Sequence, residues 1–469
     1  MSVEAAAGAK QPVQGRLYWP TGSVEPLAQT PIDSASIYDL VVVGAGFTGL
    51  WAAWHATRAG MRRVLVLDAQ SVGAGASSRN AGYLTPSFSA SYTELRRTLG
   101  VEKAAVLTRA ALDNVSEVMA LISELEIDCD LVPTGIVTVS THPDFDGRIS
   151  RDIESAQAVG LPLTVLDRDA LRGQMSSPVL SSGYSVPGAI VNPRRLVLGL
   201  AQRLAERGVM FASNAEVTQA SDTGPDMTLV TSGGTVHARQ VFFAQNAWAH
   251  QNPRFKRTVL PVYTYQAVTR PLTTAELHSL EWHNKDAYSD RRSILLNFRL
   301  TEDDRVVFGG RDIVQPYGGR ISRSKYTDQR ILGLLEESFR YVFPMLPEVG
   351  FDATWGGIIA LTANHLPAVG VDASRRFAYA HGCGGHGVTQ SHLWSGSAID
   401  LLTGTDSERA RLPFAQRREA RYPPEPMRYL GGVATRRQLR SYDDRIQAGQ
   451  KGDKEPPFLR LASKLLNAR

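Results

Sequence analysis

A chain of 469 residues with 43% hydrophobic and 21% charged residues has the composition of a soluble globular protein of two or three domains, which excludes a disordered or fibrous one. Two cysteines, Cys129 and Cys383, are too few for a disulfide framework, and no stretch nears the roughly 18 uninterrupted apolar residues of a spanning helix. The net charge of +5 is concentrated late: residues 406–469 hold fifteen Lys/Arg against eight Asp/Glu, interleaved without a run of five like charges, which reads as a solvated or partner-facing surface and not as a nucleic-acid site.

In chain order, residues 1–36 are rich in Ala, Gly, Pro and Ser and read as an irregular arm over the body. Met1–Lys10 lack a charged segment followed by an apolar core, so with the sparse cysteines the cytoplasm is the expected setting. Leu40–Val43 is continuously apolar, as a parallel strand buried on both faces should be. It runs into Gly44-Ala45-Gly46-Phe47-Thr48-Gly49, with glycines in G-x-G-x-x-G spacing. Gly44 permits the tight turn, Gly46 lets a pyrophosphate approach the backbone, and Gly49 lets the next helix lie close to the sheet. Leu50–Ala59 reads as that helix, ended by Gly60, and Val64–Leu67 as a second strand whose end, Asp68, is placed to accept hydrogen bonds from a ribose. A helix N-terminus there offers free N–H donors to phosphates.

Glu94–Leu125 has helical periodicity throughout, with Leu95, Leu99, Val106, Leu107, Leu112, Val115, Met119 and Ile122 on one side. Gly135–Ser140 reads as a strand, Asp152–Val159 as a short helix, and Asn192–Gly208 as a helix with Pro193 in its first turn. Val209–Ala244 reads as short strands with a turn at Gly233–Gly234. Pro261–Thr269 alternates like a strand, Ile294–Arg299 and Arg305–Gly309 pair across the turn Thr301–Asp304, and Ile331–Phe343 is helical. Phe377–Ala380 is an apolar strand leading through glycine-rich His381–Gly387 into a helix that ends near Thr403. Two glycine-lined helix starts far apart in the chain suggest one long ligand gripped at both ends; read alone, the second is equally a structural turn.

In order and spacing, Val41 to Leu50, then Gly73-Ala74-Gly75-Ala76-Ser77-Ser78-Arg79-Asn80-Ala81-Gly82, Asn297 to Thr301 with Phe308-Gly309-Gly310, Leu366-Pro367-Ala368-Val369-Gly370 and Gly384 to Val388 resemble the D-amino-acid-oxidase-like family of FAD-dependent amine oxidases (glycine and sarcosine oxidase type) over roughly Tyr38 to Gly404. The resemblance implies an α/β fold: a Rossmann-like FAD-binding domain with an inserted α+β substrate domain on an antiparallel or mixed sheet. The expected division is an arm at 1–36, a discontinuous FAD domain at 37–90, 185–260 and 345–405, a substrate domain at 91–184 and 261–344, and a basic tail at 406–469, the candidate for governing homo-oligomerisation. It also implies FAD, expected here to be non-covalent because Arg79 and its neighbours include no Cys or His and Cys383 lies within the glycine turn; no metal is expected. Gly44, Gly46, Phe47, Thr48 and Gly49 would lie at the pyrophosphate, Asp68 and Ala69 at the adenosine ribose, and Val217 at the adenine through its backbone. Ser77, Ser78, Arg79, Asn80 and Gly82 would line the ribityl and ring, and Gly385, His386, Gly387 and Val388 the N1–C2=O edge.

The chemistry so implied is oxidation of a primary or secondary amine, with hydride passing to flavin N5, an imine hydrolysed to the carbonyl product, and oxygen reduced to hydrogen peroxide. A quinone or an electron-transfer protein is the alternative acceptor, and a non-catalytic nucleotide-binding module the alternative of another class. Arg79 and His386 are candidate sources of positive potential at the flavin. By chain order Pro261–Thr269 crosses the flavin face and offers Tyr263, Tyr265 and Gln266 as pocket residues; the two tyrosines share a strand face and are the candidate substrate contacts, and Gln266 points to the other face. Tyr265 joins Arg79 and His386 as the candidate catalytic set. Arg299 and Arg311 are candidate carboxylate clamps, Arg299 being alternatively a structural ion pair to Asp290.

Overall fold

The computed structural model describes residues 13–22, 24–415 and 419–450. Expectations for the first twelve residues and for 451–469 lie outside these. Two sheets organise the described chain. In the smaller, parallel strands Phe377–His381, Gly234–Phe243, Ile37–Val43, Val64–Leu67 and Met210–Ala212 lie side by side, with antiparallel Ala368–Val371 at one edge. Val217–Ser221 and Met227–Thr231 extend it as an antiparallel hairpin. Helices Phe47–Arg58 and Gly387–Thr403 pack together beside this sheet; Ser395 Oγ donates to Thr48 O at 2.8 Å. Both are buried nearly all round, which is why neither shows a polar stripe in the sequence.

The larger sheet runs in the order Val13–Gln14, Phe351–Thr362, Val259–Thr269, Val306–Gly310, Leu296–Leu300, Ala287–Asp290, Val132–Ser140, Ser182–Ile190, Tyr83–Leu84. Its two faces differ sharply because side chains alternate along each strand. On the back, Tyr288, Phe298 and Phe308 stand opposite one another and stack in turn at 5.4 and 5.8 Å, and Phe343 and Phe339 of the helix region 329–343 meet Phe298 and Phe308 edge-on. On the front, one residue along, Gln266, Gly309, Asn297, Ser289, Thr138 and Tyr184 form a transverse row across six strands.

The structure departs from the sequence expectations at several points. The long helix is two, Tyr92–Leu99 and Val101–Glu124, broken at Gly100 with φ +79°. That break resets the helical phase, and Val106 is 55% exposed. Strands Phe351–Thr362 and Ser182–Ile190 belong to the larger sheet, whereas 345–405 and 185–260 are expected in the nucleotide lobe. The short helix starts earlier, at Asp146. The last described segment includes a helix, Met427–Gln447, with no counterpart in the sequence reading.

Candidate functional site

The first glycine turn is locked by close approaches that only glycine permits. Gly44 has φ +112°, and a Cβ there would lie 2.7 Å from Ala244 O. A Cβ on Gly49 would lie 1.8 Å from Gly44 O, so the helix can begin at Phe47, three residues before the expected start. Its N-terminus has no side-chain cap from Gly46, though Phe47 N donates to Ser77 Oγ at 3.0 Å. Asp68 closes the turn from beneath, accepting from Ala45 N and Gln70 N, both at 2.8 Å. Burial pushes its carboxyl pKa up while these bonds oppose the rise.

Segment 73–82 is held by Asn80, whose Nδ2 donates to Ser77 O and Ala76 O while its Oδ1 accepts from Gly82 N at 2.8 Å. Arg79 lies with its guanidinium 4.4 Å from the Tyr326 ring centroid and donates to Gly356 O at 3.3 Å. Burial draws its pKa down. The second turn passes Gly382, Gly384 and Gly385, all at positive φ, into the helix at Gly387.

These pieces surround one cavity of about 970 Å³. Its wall runs from Val217 and its neighbours past Asp68, Ala69 and Gly44–Thr48 to Ser77, Arg79, Asn80 and Gly82, and on to Gly385, His386, Gly387 and Val388. The two glycine turns therefore face a common space. Beyond them the cavity opens onto the front of the larger sheet at Thr264, Gln266, Gly357, Asn297, Ser289 and Thr138. Side-chain oxygens of Asn246, Gln266 and Asn297 are buried there without a hydrogen-bond partner. The space, the glycine-lined turns and these open acceptors suit an extended nucleotide cofactor with a second ligand beside it.

Several expected residues are elsewhere. Gly49 and Ser78 lie behind the wall, Ser78 being buried. Tyr263 and Tyr265 are on the back face, donating to Ser322 O at 3.0 Å and Lys325 O at 2.9 Å, while Thr264 and Gln266 face the cavity. Strand alternation places the two tyrosines together as expected, but sequence does not say which parity faces inward. Arg299 is no clamp and no partner of Asp290, which pairs with Arg292 at 2.8 Å. Its guanidinium lies 4.9 Å from the Trp19 ring centroid, donates to Val191 O at 2.8 Å, and is drawn down by burial to a pKa of about 10. Arg311 instead pairs with Asp444 of the last helix at 2.7 Å.

His386 borders the cavity but burial lowers its pKa to about 4, against a smaller opposing effect of the Gly384 carbonyl. It is therefore neutral at pH 7, and its side chain makes no capping bond. The positive potential at this end comes from the helix terminus, not from the imidazole. His386→Gln should leave the pH dependence of flavin reduction unchanged between about pH 6 and 9, since a group with pKa about 4 does not titrate there. A limb in that window lost with the imidazole would show the opposite. Sequence reading passed over Asn246, Thr264, Asn297 and Gly357; only Asn246, just after a parallel strand's carboxyl end, carried a usable signal.

A family model described as FAD dependent oxidoreductase (DAO) matches residues 39–399. The chain belongs to that family and is an FAD-dependent oxidoreductase. It is similar to gamma-glutamylputrescine oxidoreductase of Escherichia coli (strain K12), 29% identical over 79% of this chain and 84% of the relative. D-amino acid dehydrogenase of Agrobacterium fabrum (strain C58) is 22% identical, over 79% of this chain and 97% of that one. The crystal structure of glycine oxidase from Geobacillus kaustophilus shares the fold with a TM-score of 0.67, at 22% identity, over 81% of this chain and 98% of that one.

Proposed function

We propose that this family member oxidises a primary or secondary amine, with non-covalently held FAD, and passes the electrons to molecular oxygen, releasing hydrogen peroxide. The observation carrying this reading is the continuity of the cavity: the space between the two glycine turns opens directly onto a neutral polar floor with unpartnered acceptors at Gln266 and Asn297. Amine N–H groups are the complement of such acceptors. Bound there, FAD would supply the two-electron oxidation; the chain supplies orientation and potential.

Gly44–Thr48 and Asp68 would hold the nucleotide half, and Gly385–Val388 the ring edge, where the helix terminus favours negative charge. Arg79 is a cation on the same wall and adds to that potential. Gly357 leaves the space above Arg79 open, since a Cβ there would come within 3.1 Å of the Arg79 Cβ. Thr264, Gln266 and Asn297 would orient the amine on the facing sheet. Their neutrality suits the binding of an uncharged amine ready for oxidation. Cys383 borders the ring end, but burial raises its thiol pKa, so the nucleophilic thiolate is disfavoured.

The test is a peroxide-coupled screen of amines and amino acids with the yellow protein under air, repeated with an artificial dye acceptor under nitrogen. Peroxide formation with amines is the expected outcome. Dye reduction without peroxide would assign a different acceptor, and no reduction by any amine would end the reading. Acid precipitation should leave the flavin in the supernatant; a yellow pellet would show a covalent link.

A further inference from the structure

Helix Met427–Gln447 lies wholly beyond the matched family region, and of its residues only Asp443 and Ile446 are buried. With so little apolar surface, its docking depends on polar contacts, and these converge on two short segments. The Asp443 carboxylate accepts from the backbone N–H groups of Ser293 and Ile294, both at 3.1 Å. Arg292 donates to Gln447 Oε1 at 2.6 Å, and Arg311 pairs with Asp444 at 2.7 Å. Arg436 and Arg440 reach buried Asp312 at 2.7 and 3.4 Å.

The clamped segments are the far wall of the cavity. Asp290, Arg291, Ile294 and Leu295 border it from one, Gly310, Asp312 and Ile313 from the other. No helix residue borders the cavity itself. A loop whose backbone N–H groups are held by a buried carboxylate has fewer conformations than a free one, and a binding wall gains precision from such support. We propose that helix 427–447 sets the shape of the substrate end of the cavity, with Asp443 as its positioning residue. This rests on the amine-oxidation reading only for the identity of the ligand, not for the wall.

The experiment uses full-length holoprotein carrying Asp443→Ala, and Asp443→Asn, which keeps an acceptor oxygen for one of the two N–H groups. Two readouts are taken: amide hydrogen exchange of segments 290–295 and 310–313, and the apparent KM and kcat for the best amine of the screen. Asp443→Ala should speed exchange in both segments and raise KM about tenfold with kcat within about twofold and flavin content unchanged, and Asp443→Asn should recover most of the difference. Unchanged exchange in both variants overturns the proposal. Faster exchange with unchanged KM also overturns it, because the helix would then be structural only. Should no amine reduce the wild-type flavin, the oxidation reading fails separately. In that case the exchange data still decide whether the helix holds the wall.

Discussion

Gly49→Ala should give a protein that purifies nearly colourless. The added Cβ would fall 1.8 Å from Gly44 O, far inside any real contact, and a tight 3.1 Å from Val42 Cγ1. Relief requires either the helix to lift from the sheet or the Gly44 carbonyl to turn. The second route is closed: Gly44 is at φ +112°, packed so that even a Cβ on it would lie 2.7 Å from Ala244 O. Lifting the helix withdraws its N-terminus from the cavity and lengthens every phosphate contact it could make. Overpacking of this kind costs about 2–3 kcal/mol, which, expressed in the bound state, weakens FAD by roughly 30- to 150-fold. Gly60→Ala is the control. It is also at positive φ, but nothing lies within 4 Å of its Cβ position, so it should lose about 1–2 kcal/mol of stability and keep its flavin. Visible flavin absorbance per unit protein measures both. A Gly49→Ala protein as yellow as its parent would show that the turn does not hold the nucleotide.

Asp312→Ala should produce a large loss of stability. The carboxylate is fully buried and accepts from Arg330 at 2.6 Å, Arg436 at 2.7 and 2.8 Å and Ile313 N at 2.8 Å. Without it three guanidinium groups, Arg440 included, converge on an empty centre. Breaking a buried pair costs about 3–5 kcal/mol; these arginines are partly exposed and regain some hydration, so about 3 kcal/mol is expected. Thermal denaturation should shift down by roughly 3 °C, the unfolding entropy of a chain this long being large. Burial alone would raise the Asp312 pKa, but the hydrogen bonds from Arg436 and Arg330 outweigh it and hold the carboxyl below the usual range. Its stabilisation is therefore complete above about pH 4 and is lost as pH falls through the depressed folded value. An Asp312→Asn protein should lack this component of acid destabilisation, so its melting temperature should converge with that of the wild type as pH drops below 4. Parallel curves would exclude the carboxylate as the source.

The nucleotide half of the fold was legible because its signals are backbone signals. Continuous apolar strands and glycines at obligatory close approaches, as at Gly44 and Gly49, are written in residue type. The substrate half was legible only as strands. Whether Tyr265 or Gln266 faces the cavity depends on the parity with which Val259–Thr269 enters the larger sheet, and both parities look alike in the sequence. Gly100 was hidden because helical stretches rich in apolar residues flank it on both sides, although the phase changes at it. The last helix escaped notice for the opposite reason: it buries almost nothing apolar, so hydrophobic periodicity has no purchase on it. Arg299 looked like a ligand clamp, yet its partner is an aromatic ring from the N-terminal arm, a contact that no local pattern announces.

The strand order of the smaller sheet also bears on biogenesis. Ile37–Val43 leaves the ribosome early, but its neighbour on one side is Gly234–Phe243, and the strand beyond that, Phe377–His381, comes almost last. The dinucleotide pocket is thus left half-walled until about 340 further residues, as far as Phe377–His381, have been made, and parallel pairings of such separation form slowly. The nascent chain must carry an exposed apolar strand edge through most of its synthesis, and only after the final glycine turn emerges is there a complete surface for the cofactor to seal.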